Sequence, residues 1–146
     1  SDADMATRQE EYWGRDNFVV ITDGTKPAMK WTIDELRKRK KTVHAVDLSE
    51  KPDSNSLTDI SEIPENAENV IIGVTTTEPA RIIEKLAERD ITNFWVHWST
   101  DTCDVEHLTY NPELNIITGR CPMMYLGNTM SMHGFHRVIA RTLGKY

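Results

Sequence analysis

The sequence predicts an α/β fold: a five-stranded, mainly parallel sheet held in three layers between helices. Two observations lead there. Short β-rich runs at 18–22, 43–48, 70–74, 94–98 and 114–118 alternate with segments of helical periodicity, and that rhythm is the signature of parallel strands joined by helical crossovers. The chain has 146 residues, enough for one proper core and too few for two comfortable ones. Together they give a Rossmann-like architecture, with 17–146 as a single domain and 1–16 as an N-terminal arm or short helix.

In the leading segment Met5, Tyr12 and Trp13 are the apolar residues, and they line one side of a short helix docked on the body. Residues 1–4 are expected to fray. The first crossover opens with Thr25 as a cap and Pro27 in the first turn, and Met29, Ile33 and Leu36 follow at i, i+4, i+7. It ends in the basic run Arg37, Lys38, Arg39, Lys40 and Lys41, which suits the negative end of a helix dipole and is read as a solvated face. The polar stretch between the second and third strands is read as a connection holding a short helix at 57–60. The crossover after the third strand starts near Thr77, has Pro79 in its first turn and carries Ile82, Ile83, Leu86 and Ala87 on one stripe. After the fifth strand, Phe135, Val138, Ile139 and Thr142 share a helical face, which closes the domain or makes a subunit contact of a homodimer.

The formal charge is −6 and the pI about 5.3, so the chain has no broad electrostatic footprint for nucleic acid or an anionic membrane. No apolar run approaches the roughly 20 residues that span a bilayer. With two cysteines, Cys103 and Cys121, and no signal-like N-terminal stretch, the expected compartment is the cytoplasm with both thiols reduced.

Ligands of open parallel sheets bind beyond the carboxyl ends of the strands, where the strand order reverses. After the first strand, Thr22-Asp23-Gly24-Thr25-Lys26-Pro27 can be read in two ways. Its amides and Lys26 suit a phosphate at a helix start; equally, Gly24 supplies a positive φ and Thr25 caps an ordinary turn. The G-x-G-x-x-G fingerprint is absent, which argues against NAD or FAD, although Asp47 lies where an acidic ribose partner would fall. After the third strand, Thr75, Thr76 and Thr77 suit a capping turn and also offer hydroxyls to a ligand. No aspartate ends that strand, which sets aside a phosphoacceptor receiver domain.

His133 and His136 stand at i, i+3, with His97, His107, Cys103 and Cys121 scattered elsewhere. This spacing gives no third matching ligand, and no metal site is assigned. Cys121 precedes Pro122 after the fifth strand, a position that would favour thiolate, against the alternative of an inert buried thiol. Cys103 falls in a polar connection after the fourth strand. No nucleophile and base can be paired, so no catalytic residue is assigned.

The runs FVVITDGTKP, HAVDL, SLTDISEIPENAENVIIGVTTTEPARIIEKL, NFWVHWS and ITGRCPMMYLG together resemble the stand-alone CoA-binding domain family, which is similar to the N-terminal domain of succinyl-CoA synthetase α subunits. The resemblance covers about 17–146. It implies a cytoplasmic module that binds coenzyme A or an acyl-CoA. The adenosine diphosphate would lie along Thr22, Gly24, Thr25, Lys26, Pro27 and Asp47. The pantetheine arm would cross Thr75, Thr76 and the later loops, with His97, Trp98, Arg120, Cys121 and Pro122 as further contacts. The sequence departs from the family pattern at two acidic positions: Asp23 replaces a small neutral residue, and Asp47 a common asparagine. Each places negative charge beside a polyanion. The rival readings are a Cys121-dependent acyl- or thiol-transfer enzyme, a nucleotide-dependent oxidoreductase, and an interaction domain that has kept the fold without the ligand.

Overall fold

The computed structural model describes residues 11–120. Five strands form one sheet: β1 (Asn17–Thr22), β2 (Thr42–Asp47), β3 (Asn69–Gly73), β4 (Asn93–His97) and β5 (Asn115–Arg120), in the spatial order β2-β1-β3-β4-β5. Every neighbouring pair is parallel. Parallel pairing demands crossovers, and among the described residues the helices α1 (Pro27–Lys38), α2 (Pro79–Ala87) and α3 (Cys103–Leu108) follow β1, β3 and β4.

Alternation along each strand sorts the core into two layers. Val19, Ile21, Val70, Ile72, Phe94 and Val96 pack with Ile82, Ile83 and Leu86 of α2 and with Val105 of α3. The intervening Phe18, Val20, Ile71, Trp95 and Ile117 pack with Met29, Ile33 and Leu36 of α1. The sheet therefore has helices on both faces, the doubly wound arrangement expected from the sequence. On the α1 face, helical residues 11–13 bring Tyr12 into the core. Its ring lies 5.5 Å from Trp95 and 6.0 Å from Phe18. The Tyr12 hydroxyl donates to the Val70 carbonyl at 2.9 Å, and Asn69 Nδ2 donates to the Tyr12 carbonyl at 3.0 Å.

Four local expectations are corrected. Thr25 does not cap α1: the N-cap is Lys26, without a side-chain bond, because the Thr25 hydroxyl is spent on Asp23. Thr75, Thr76 and Thr77 do not cap α2 either; Glu78 does, accepting from the Ala80 amide at 3.1 Å. The helix expected at 57–60 is instead a bridge from Leu57 to Val46, followed by a 3-10 turn at Ile60–Glu62 with a capping box from Asp59 and Glu62. Finally, Cys103 opens α3 rather than lying in a loop. That helix is six residues long and buries only Val105, so it leaves almost no periodic trace in the sequence.

The basic run at the end of α1 is tied locally. Lys38 and Arg39 reach Glu35 at 3.9 and 3.3 Å, and Lys41 reaches Asp16 at 3.7 Å. Such exposed pairs contribute little to stability, in keeping with a solvated face. The polar connection between β2 and β3 is held by Arg89, whose guanidinium donates to the carbonyls of Ile60 and Ile63.

Candidate functional site

The order β2-β1-β3 means that the chain leaves β1 toward one side of the sheet and leaves β3 toward the other. The loops after these two strands diverge and open a crevice at their carboxyl ends. Register aligns the strand ends: Thr22 stands opposite both Asp47 and Gly73. Gly73 has a packing reason, since a Cβ there would come within 2.5 Å of the Met29 sulfur. The absence of a side chain lets α1 lie close over the end of β3.

Asp23 organises the crevice. It is 6% exposed, and its two carboxylate oxygens receive five donors from two loops. Oδ1 accepts from the Thr25 amide at 3.1 Å and from the Thr25 hydroxyl. Oδ2 accepts from the Thr75 amide, the Thr76 amide and the Thr76 hydroxyl, each at 2.8 Å. Thr75 Oγ1 completes the clasp by donating to Thr25 Oγ1 at 2.8 Å. Burial pushes the Asp23 carboxyl up, but the hydrogen bonds from Thr25, Thr76 and Thr75 outweigh it and hold the group well below the usual carboxylate range. Within the same turn the Gly24 amide donates to Thr22 Oγ1 at 3.1 Å, with Gly24 at φ +83° as the glycine reading required.

Asp47 ends β2 beside this clasp. It accepts from the Ser49 amide at 3.0 Å and the Asp53 amide at 3.1 Å, and so shapes the turn that follows the strand. Burial and the neighbouring Asp23 charge push its carboxyl up, but bonds from Ser49 and Asp53 prevail, and it too is held below its ordinary value. A carboxylate has about four lone-pair sites. Asp23 has none left for a ligand, whereas Asp47 is only partly engaged.

On the other side of the clasp lies an open cleft of about 340 Å³ between the β3–α2 and β4–α3 loops, lined by residues 74–79 and 99–102. Its rim is rich in hydroxyls, and Glu78 and Asp101 make it acidic. Lys26 Nζ donates to Ser99 Oγ at 3.1 Å and joins the first turn to this cleft. Ser99 has φ +70°, a conformation that non-glycine residues rarely hold. Thr102 Oγ1 donates to the capping Glu78 at 2.6 Å, which ties the two walls together.

Of the residues singled out in the sequence, Thr22, Gly24, Thr25, Lys26, Asp47, Thr75 and Thr76 meet at this one edge, with Pro27 opening α1 beside them. Among them, Thr75 and Thr76 line the cleft itself. His97 and Trp98 do not line it: His97 is buried at the end of β4, where its carbonyl accepts from the Thr100 amide and hydroxyl at 3.0 and 2.7 Å. Arg120 is the last residue of β5. Cys121, Pro122, His133, His136 and the helical face from Phe135 lie outside the described residues. Sequence reasoning missed the parts played by Ser99, Thr100, Asp101 and Thr102, whose signal is a cluster of small polar residues directly after a strand. Among the described residues no group of three or more His, Cys, Asp or Glu is placed to hold a metal ion, and no helix is long and apolar enough to cross a membrane.

No protein-family model matches the chain, and no curated protein matches it. Solved structures do. A crystal structure of Prb, described as PH1109 protein redesigned for binding, superposes with a TM-score of 0.67 at 15% identity, over 82% of this chain and 87% of that one. The structure of cell-free ID.343 from Thermus thermophilus gives a TM-score of 0.58 at 13% identity, over 81% and 93%. At these identities the similarity is one of fold, and the chain is an α/β protein built on a five-stranded parallel sheet.

Proposed function

We propose that the chain is a cytoplasmic, non-catalytic module that binds coenzyme A or an acyl-CoA at the carboxyl edge of its sheet. The observation that carries this reading is the convergence at the strand-order reversal: Lys26, the partly engaged Asp47, and an open hydroxyl-lined cleft that Lys26 reaches through Ser99. Such a crevice is where this architecture takes ligands. Lys26 offers a cation to a phosphate, Asp47 an acceptor to ribose hydroxyls, and the cleft length and hydrogen-bonding capacity to a pantetheine arm. The sequence resemblance supplies the ligand class.

A second reading, an interaction domain without a ligand, is favoured by one feature: the amides of Gly24, Thr25, Thr75 and Thr76 already have internal acceptors. Thermal unfolding with CoA, NAD and FAD separates the two. On the first reading CoA alone raises the melting temperature, and at 100 times its Kd the stabilisation is about 2.7 kcal/mol. Equal or larger stabilisation by NAD overturns the CoA assignment, and no response to any of them favours the interaction domain.

A further inference from the structure

We infer that Asp23 sets the charge specificity of this edge: its carboxylate holds the donors that a ligand phosphate would use, so the first turn refuses phosphate and the ligand's diphosphate lies outside it, toward Lys26. The inference rests on the reading of the edge as a ligand site and deepens it by naming which part of a ligand each half accepts.

Three observations support it. The donors on Asp23 come from two separate loops and converge on one buried group, an arrangement that suits an anion. With five donors on its two oxygens and about four lone-pair sites available, the carboxylate has no capacity left for a ligand's own hydroxyl or ammonium. It therefore acts by occupancy and by charge, not by contact. A second anion seated at the same amides would stand beside an ionised carboxylate, and like-charge juxtaposition in a partly desolvated place is strongly unfavourable. Asp47 adds to that field, since the two carboxylates are close enough for Asp23 to push its neighbour's carboxyl up. Lys26 is the nearby cation whose ammonium faces the cleft side, on Ser99. A diphosphate is thereby left to Lys26, and a neutral, hydrogen-bonding segment faces the hydroxyls of the cleft.

The test uses inorganic pyrophosphate, ADP and CoA on the wild-type chain, Asp23→Asn and Asp23→Ala. With wild type, pyrophosphate should leave the amide resonances of Thr25, Thr75 and Thr76 unmoved. With Asp23→Asn, which keeps an acceptor and loses the charge, pyrophosphate and ADP affinity should rise about tenfold or more, and those three amides should now shift. Perturbation of these amides by pyrophosphate in wild type overturns the inference even if neither variant folds. So does a folded Asp23→Asn or Asp23→Ala without gain. If wild type binds no CoA but Asp23→Asn gains pyrophosphate, the CoA reading fails while the role of Asp23 stands.

Discussion

The two edges of the sheet solve the same problem, tying loops across neighbouring strands, with a different balance of burial and charge. At the amino end of β3, Tyr12 and Asn69 are buried and exchange hydrogen bonds with backbone groups inside an aromatic cluster, while the adjoining Glu68 carboxylate accepts from the Asn17 amide and Nδ2 at 3.3 and 3.0 Å. At the carboxyl end the tie is an ionised carboxylate, surrounded by exposed threonines and opening onto a cleft. Buried neutral bonds with aromatic packing secure a core, whereas a charged clasp at the surface fixes loop geometry and sets a local field. On the proposed function, the first edge serves the core and the second serves ligand recognition.

Substitutions at the two edges should separate stability from binding. The largest loss is expected for Tyr12→Ala, about 3–5 kcal/mol from emptying a buried aromatic site. Urea denaturation reads it, and affinity at the far edge should be unaltered while the protein remains folded. Asp23→Ala should cost about 3 kcal/mol, since it strands several converging donors at once. Its pH dependence identifies the cause. A carboxyl depressed in the folded state stabilises fully above its unfolded value of about 3.9, and that contribution fades as pH falls through the lower folded value. The difference between wild type and Asp23→Ala should stay constant from neutral pH down to about 5 and shrink only below about 4. A difference that grows in acid would contradict this account of the clasp.

Gly73→Ala should cost about 1–2 kcal/mol by forcing the buried Met29 aside, measured as a shift in denaturation midpoint. The smallest stability effect belongs to Lys26→Ala, under about 0.5 kcal/mol because the side-chain bond to Ser99 that it removes is exposed. Calorimetry should nonetheless find CoA binding weakened in that variant, and unchanged affinity would remove Lys26 from the site.

How much of this was legible in the sequence depended on the range of the signal. The five strands and the stripes of α1 and α2 could be read because burial repeats along the chain, as in Met29, Ile33 and Leu36. The short α3 escaped because Val105 alone is buried, and the capping assignments failed because the Thr25 hydroxyl serves Asp23 within its own turn while Thr75 and Thr76 serve the same residue from another loop. Asp23 was recognised as an added charge near the ligand edge. Its role as the centre of a clasp was not, because Thr75 and Thr76 are more than fifty residues away along the chain. Local sequence carries propensity and periodicity, whereas convergence of loops is a property of strand order.

The central claim, that ligand recognition belongs to the carboxyl edge and not to the amino edge, is tested most directly by titrating CoA into isotopically labelled protein and following backbone amide resonances. The account predicts saturable shifts in Lys26, Asp47, Thr77 and Ser99 to Thr102, with Tyr12, Asn17 and Asn69 unmoved. Shifts centred on the Tyr12–Asn69 edge, or spread evenly over both edges, would contradict it.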